Sequence, residues 1–350
     1  MSADSAVAPA AVSTELRTLR VMRYAVGSTI TMAVAMGIDW QLSFLVPVLS
    51  LSFLATPDPC PTLKQGTTFV AIIAIAVLAA VLLARWLLAF PFVYVPFVGL
   101  VLFRIFYAKA GGESPLLIMW LLIALVVIPL VALLSPDIAI FVALGIPIGA
   151  AATVALIWLF YFIFPDPEDV TAAALAASAP APPPAPAPRE RFRIAAETTL
   201  VVMPVFILFY TFKWTGSLLI LVFIALLSSQ PGFAKNYKAG GALVLGNVIG
   251  GAVAIVFFEL LVLMPEYVFL ILLTLLTGLI FGTQLFSGKK LAPLFGMAFS
   301  TVLLIIGSTT SGNAEAGAKV YTRVIQILVA VVYVVVAFGT IEAFRKPKES

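Results

Sequence analysis

"DWQLSFLVPVLSLSFLATPDPCPTLKQG", residues 39–66, is echoed further along the chain by "KWTGSLLILVFIALLSSQPGFAKNYKAG", residues 213–240. Superimposed without a gap, they align Trp40 with Trp214, Ser43 with Ser217, Leu45 with Leu219, Pro57 with Pro231, Lys64 with Lys238 and Gly66 with Gly240. An internal match of this kind predicts a duplicated architecture.

Composition sets the solvent. Hydrophobic residues make up 63% of the chain and charged residues 10%, against roughly 25% charged in soluble domains. Apolar runs of about 20 residues, the length that crosses a bilayer, recur along nearly the whole chain. The expected fold is therefore all-α and polytopic, with no room for a large soluble domain. A net charge of +4 would point to nucleic acid in a soluble chain; here the basic residues lie between apolar runs and read as topology signals. A single cysteine, Cys60, excludes an internal disulfide, and the absence of histidine excludes Ser/His catalysis and histidine-ligated metal. The start is polar and alanine-rich without a small-residue cleavage site, so the first span is expected to stay attached.

Candidate spans cover 24–38, 41–55, 67–89, 92–107, 116–134 and 138–164, then 195–212, 215–229, 241–263, 267–284, 291–308 and 320–343. Six and six give two tandem six-helix repeats, 1–168 and 191–350, each with an even number of spans and so inserted in the same direction. An inside N-terminus puts Arg17, Arg20, Arg23, Lys64, Arg104, Lys109, Arg189, Arg191, Arg193, Lys235, Lys238, Lys289, Lys290, Arg345, Lys346 and Lys348 on the cytoplasmic side, with Lys213 and Lys319 opposite. That bias predicts cytoplasmic termini. Between the halves, 169–190 holds "TAAALAASAPAPPPAPAPRE" (171–190), whose proline density favours an extended spacer; a docking site for a partner that reads proline-rich segments is the alternative.

Ionisable groups inside spans are costly and mark function. Arg85, Arg104, Glu259 and Arg323 meet that description. The repeat register sets Arg85 opposite Glu259, Asp39 opposite Lys213 and Arg23 opposite Glu197, and matches Pro91 with Pro265. Opposite charges at equivalent positions could pair the two halves. Glu259 either neutralises Arg85 or carries protons. Arg323, helped by Arg85, is a candidate contact for an anionic substrate, or else snorkels to the headgroups. Trp40 and Trp214 sit at outer turns, beside Asp39 and Lys213, as interfacial anchors or stacking surfaces. Pro47, Pro129, Pro147 and Pro204 fall within spans, where they either kink the helix or open it along a pathway. Gly145 with Gly149, and Gly246 with Gly250, have the spacing of close helix contacts. The polar loop 307–317 reads as a turn, with a gate or a partner contact as the alternative. No phosphate-loop motif occurs, so ATP hydrolysis by this chain is not expected. No metal cluster, cofactor motif or nucleophile–base pair at span depth is found either, so no enzymatic role is expected.

Three features carry a family likeness: the basic "LRTLRVMRYAVGSTI" (16–30), the tryptophans of "DWQLSF" (39–44) and "KWTGSL" (213–218), and the Lys-x-Gly endings of "PTLKQG" (61–66) and "NYKAG" (236–240). In these the chain resembles the fusaric acid resistance and aromatic acid exporter superfamily, in particular its short bacterial members. The resemblance implies a bacterial inner-membrane exporter of small organic acids or aromatic compounds. It also implies a periplasmic adaptor of the membrane fusion type and an outer-membrane channel as partners. Members of that group carry a sizeable cytoplasmic domain between their halves, where this chain has only the alanine-proline tether. The leading expectation is a proton-coupled efflux permease for small organic anions. An organic-anion channel and a non-transporting scaffold of an efflux complex are the rivals.

Overall fold

The computed structural model describes residues 8–56, 59–113, 115–167, 186–214, 217–228, 237–289, 291–309 and 316–345. Most of the tether, Pro57, Pro231 and most of the polar loop after Gly307 lie outside them. Among the described residues the chain forms twelve helices and no strand: α1 Ala8–Gly37, α2 Leu45–Leu54, α3 Leu63–Leu87, α4 Pro91–Ala110, α5 Pro115–Leu134, α6 Pro136–Ile163, α7 Pro188–Phe212, α8 Leu218–Ser228, α9 Tyr237–Leu263, α10 Tyr267–Leu285, α11 Ala292–Thr309 and α12 Ala316–Arg345. Eight of them are long and apolar enough to cross a membrane. Large apolar side chains also face outward, Phe92 at 95% and Leu263 at 81% exposure, as a bilayer solvent permits. This is an all-helical polytopic membrane protein.

The expected second spans, 41–55 and 215–229, are shorter than anticipated. α2 has 10 residues and α8 has 11, or about 15 Å of rise each, too little for a hydrocarbon core of about 30 Å. Apolarity there extends beyond the helix: Gln41 to Phe44 are turn, closed by Ser43 N–H to Trp40 O at 2.8 Å and Leu45 N–H to Leu42 O at 2.8 Å. α1 differs in another way, because Arg20, Arg23, Ser28, Thr29 and Thr31 interrupt its apolar run. The three hydroxyls are buried and each bonds a carbonyl one turn back, which satisfies them within the helix; Thr31 Oγ1 also lies 3.3 Å from Ser50 Oγ of α2.

The turns after α1 and α7 have one design. Asp39 and Lys213 are the non-glycine residues with positive φ among those described, at 50° and 51°. The tryptophan that follows each one reaches five residues back, Trp40 N–H to Ala35 O at 3.3 Å and Trp214 N–H to Phe209 O at 3.1 Å. This is the six-to-one closure that ends helices at a left-handed residue. The register that carries Asp39 to Lys213 also carries the start of α3 onto the start of α9, and α2 onto α8 within one residue.

The chain forms two compact units, and each draws on both sequence halves. The first holds Met1–Gly66, Gly149–Pro180 and Leu245–Tyr321. In it α1 packs on α10 and α2, and α11 packs on α10 and α2. Gly250 allows α9 close to α11, since a Cβ there would stand 2.5 Å from Ala298 O. The second unit holds Thr67–Ile148, Ala181–Val244 and Thr322–Ser350. In it α4 packs on α7 and α5, and α8 packs on α5 and α7. Each unit thus combines the first and second helices of one half with the fourth and fifth helices of the other.

Candidate functional site

α7 places the strongest candidate. Its last turn presents Phe209, and its left-handed cap turns the chain so that Lys213 and Trp214 stand at the helix end. These residues, with Ser217 and Ile220 at the start of α8 and Val329 and Tyr333 on α12, line a groove of about 730 Å³ in the second unit. That size suits a small organic molecule. Tyr333 offers its ring, because its hydroxyl donates to Val201 O at 2.8 Å. Trp214 stacks on Phe212 with ring centroids 5.4 Å apart and meets Phe209 edge-on at 5.8 Å. The lining is therefore mostly apolar and aromatic, with one cation, Lys213, among it. The Lys213 ammonium has no hydrogen-bond or ion-pair partner among the described residues.

Arg323 joins this site indirectly. Its Nη1 donates to Gln326 Oε1 at 3.0 Å, and Gln326 Nε2 donates to Ser217 Oγ at 3.2 Å. Three sequence candidates, Lys213, Trp214 and Arg323, are thus brought together in one unit, with Gln326 and Ser217 linking them.

The others lie elsewhere. Arg85 is exposed in the last turn of α3 and Arg104 is exposed on α4, neither with a partner among the described residues. Glu259 is exposed on α9 and accepts from Tyr321 Oη at 2.6 Å. Arg85 belongs to the second unit and Glu259 to the first. Arg23 and Glu197 each take a partner in their own unit. Arg23 is 4% exposed; it bonds Asp166 at 2.7 Å and Phe164 O, and lies 3.8 Å over the Tyr161 ring. Glu197 pairs with Arg193 at 3.7 Å. Asp39 and Trp40 belong to the first unit, where Trp40 packs on Gly149: a Cβ there would meet Trp40 Cη2 at 2.7 Å.

Sequence reasoning missed Gln326 and Asp166. Gln326 is three residues from Arg323, a helical neighbour on the same face, so the spacing was a usable signal. Asp166 follows α6 in "FPDPED" and carried no signal beyond being an acid just past a span.

Residues 20–162 match the family described as "Protein of unknown function (DUF2955)". The match covers α2 to α5, most of α1 and nearly all of α6. No curated protein and no solved structure matches the chain.

Proposed function

We propose that this protein is a permease of the bacterial inner membrane that exports small organic anions with an apolar or aromatic body. The observation that carries the reading is the groove at the end of α7, lined mostly by apolar and aromatic side chains together with Lys213, whose ammonium has no partner among the described residues. A carboxylate leaving water loses hydration, and a fixed cation in a low-dielectric site offsets that cost. Aromatic faces accept the rest of such a molecule. The tandem turns at Asp39 and Lys213 support a duplicated six-helix architecture, and the bias of basic residues supports cytoplasmic termini. The likeness to aromatic acid exporters supports outward transport with a periplasmic adaptor and an outer-membrane channel. The proton gradient is the proposed energy source, since the chain has no phosphate-loop motif of its own.

The test is uptake of labelled aromatic carboxylates into inverted membrane vesicles, with and without an uncoupler. Uptake that needs this chain and stops on uncoupling supports the permease. Uptake that survives uncoupling and follows the anion gradient replaces it with a channel. No chain-dependent flux at all leaves a scaffold and overturns transport.

A further inference from the structure

The serine of each tryptophan turn is committed differently in the two halves. Ser43 is buried and donates its hydroxyl proton to Gly307 O at 2.9 Å. Its counterpart Ser217 accepts from Gln326 Nε2 at 3.2 Å. The direction of that bond follows from chemistry. Arginine has donors only, so the oxygen of the buried Gln326 faces Arg323 and its NH2 faces Ser217. One lone pair of Ser217 is then occupied, and its proton has no acceptor among the described residues. Ser217 lines the groove.

A single register position sharpens the contrast. The alignment that carries Ser43 to Ser217 carries Gly149 to Arg323. In the first unit the missing side chain at Gly149 lets Trp40 and Leu45 settle there, each within 2.7 Å of where a Cβ would be. In the second unit a guanidinium stands at the equivalent position, and Trp214 remains 52% exposed.

We propose that Arg323, Gln326 and Ser217 form a one-way hydrogen-bond relay that points a polarised Ser217 hydroxyl at an anion in the groove, and that the first half holds the same site in a closed, self-satisfied form. Each chain then binds one anion rather than two. The proposal rests on the reading of the groove as an anion site and adds its donor and its stoichiometry. Lys213 supplies charge and Ser217 supplies direction. Arg323 is a positioning residue: it holds the Gln326 amide in one orientation, and successive bonds in such a chain strengthen one another. No proton is transferred.

Calorimetric titration of the full chain in nanodiscs with 2-naphthoate, and with neutral 2-naphthamide, tests it. One naphthoate per chain is expected. Ser217→Ala is expected to weaken naphthoate about tenfold and naphthamide less than about twofold, the scale of one hydrogen bond to a charged group. Ser43→Ala leaves both unchanged. Arg323→Leu weakens naphthoate about tenfold, whereas Arg323→Lys, which still donates to Gln326, stays within about threefold. Gln326→Glu keeps the contact with Arg323 but offers Ser217 only an acceptor, so naphthoate binding falls at least as far as in Ser217→Ala. Naphthoate binding that is unchanged in Ser217→Ala, or equally weakened in Ser43→Ala, or that shows two sites per chain, overturns the relay alone. Wild-type protein that binds no naphthoate overturns the groove as an anion site, and the relay with it.

Discussion

Asp39 and Lys213 hold the same left-handed backbone, φ 50° and 51°, at the same turn of the two halves, with opposite charges. One local structure is written twice. The backbone needs a residue that tolerates the left-handed region there, while the charge is left free to differ. In the second unit that charge faces a groove.

The two roles of Lys213 separate by substitution. Lys213→Gly relieves about 1 kcal/mol of left-handed strain and removes the cation. The variant is expected to melt at higher temperature yet lose anion transport. Asp39→Gly is expected to gain similar stability and keep transport. Thermal melts beside vesicle uptake read both effects.

Packing at Gly149 has its own signature. Gly149→Leu forces Trp40 and Leu45 from α6 and is expected to cost about 1–3 kcal/mol, the usual penalty for overpacking. Ligand affinity at the second-unit groove is expected to hold in the folded fraction. A thermal shift measured together with naphthoate binding checks this.

Arg23 and Asp166 form a buried pair at the end of α6, with side chains 5% and 10% exposed. Asp166→Asn leaves the guanidinium without its countercharge, and loss of one partner of such a pair costs about 3–5 kcal/mol. Yield and melting temperature are expected to fall sharply, and restoration by a paired Arg23→Gln change reports the coupling.

Cys60, in the segment between α2 and α3, reports the same cluster. Partial burial raises its thiol above the ordinary range, Arg23 lowers it and Asp166 raises it. The thiolate is the reacting form, so a lower pKa means faster alkylation at fixed pH. In the folded fraction of Asp166→Asn the raising influence is gone and that of Arg23 stays. Maleimide labelling near neutral pH is expected to quicken, and its pH profile to move toward acid; an unchanged profile contradicts the electrostatic influence of Asp166 on the thiol.

Much of this was legible in the residues because its causes are local. Trp40 and Trp214 keep fixed spacing to the left-handed residue before them and the serine after them, so the turn announces itself twice. Helix positions followed apolar runs closely for α3 and α10. α2 was overestimated because Gln41 to Phe44 are as compatible with a turn as with a first helical turn. The groove was not legible. It needs α7, α8 and α12 side by side, and nothing in the order of residues brings Gln326 to Ser217. Arg323 drew notice as a charge in an apolar run, but its action through an amide depends on tertiary packing. Asp166 was hidden for the same reason, as was the exchange of helices between the halves.

The most direct test of the central claim is cysteine accessibility in a Cys60→Ser background, with Ser217→Cys and Ser43→Cys made separately and exposed to a small methanethiosulfonate reagent. The account predicts that the thiol at position 217 reacts and is protected by 2-naphthoate, while the thiol at position 43 stays unreactive. Equal reactivity at both positions, or reaction at 217 that naphthoate leaves untouched, would contradict it.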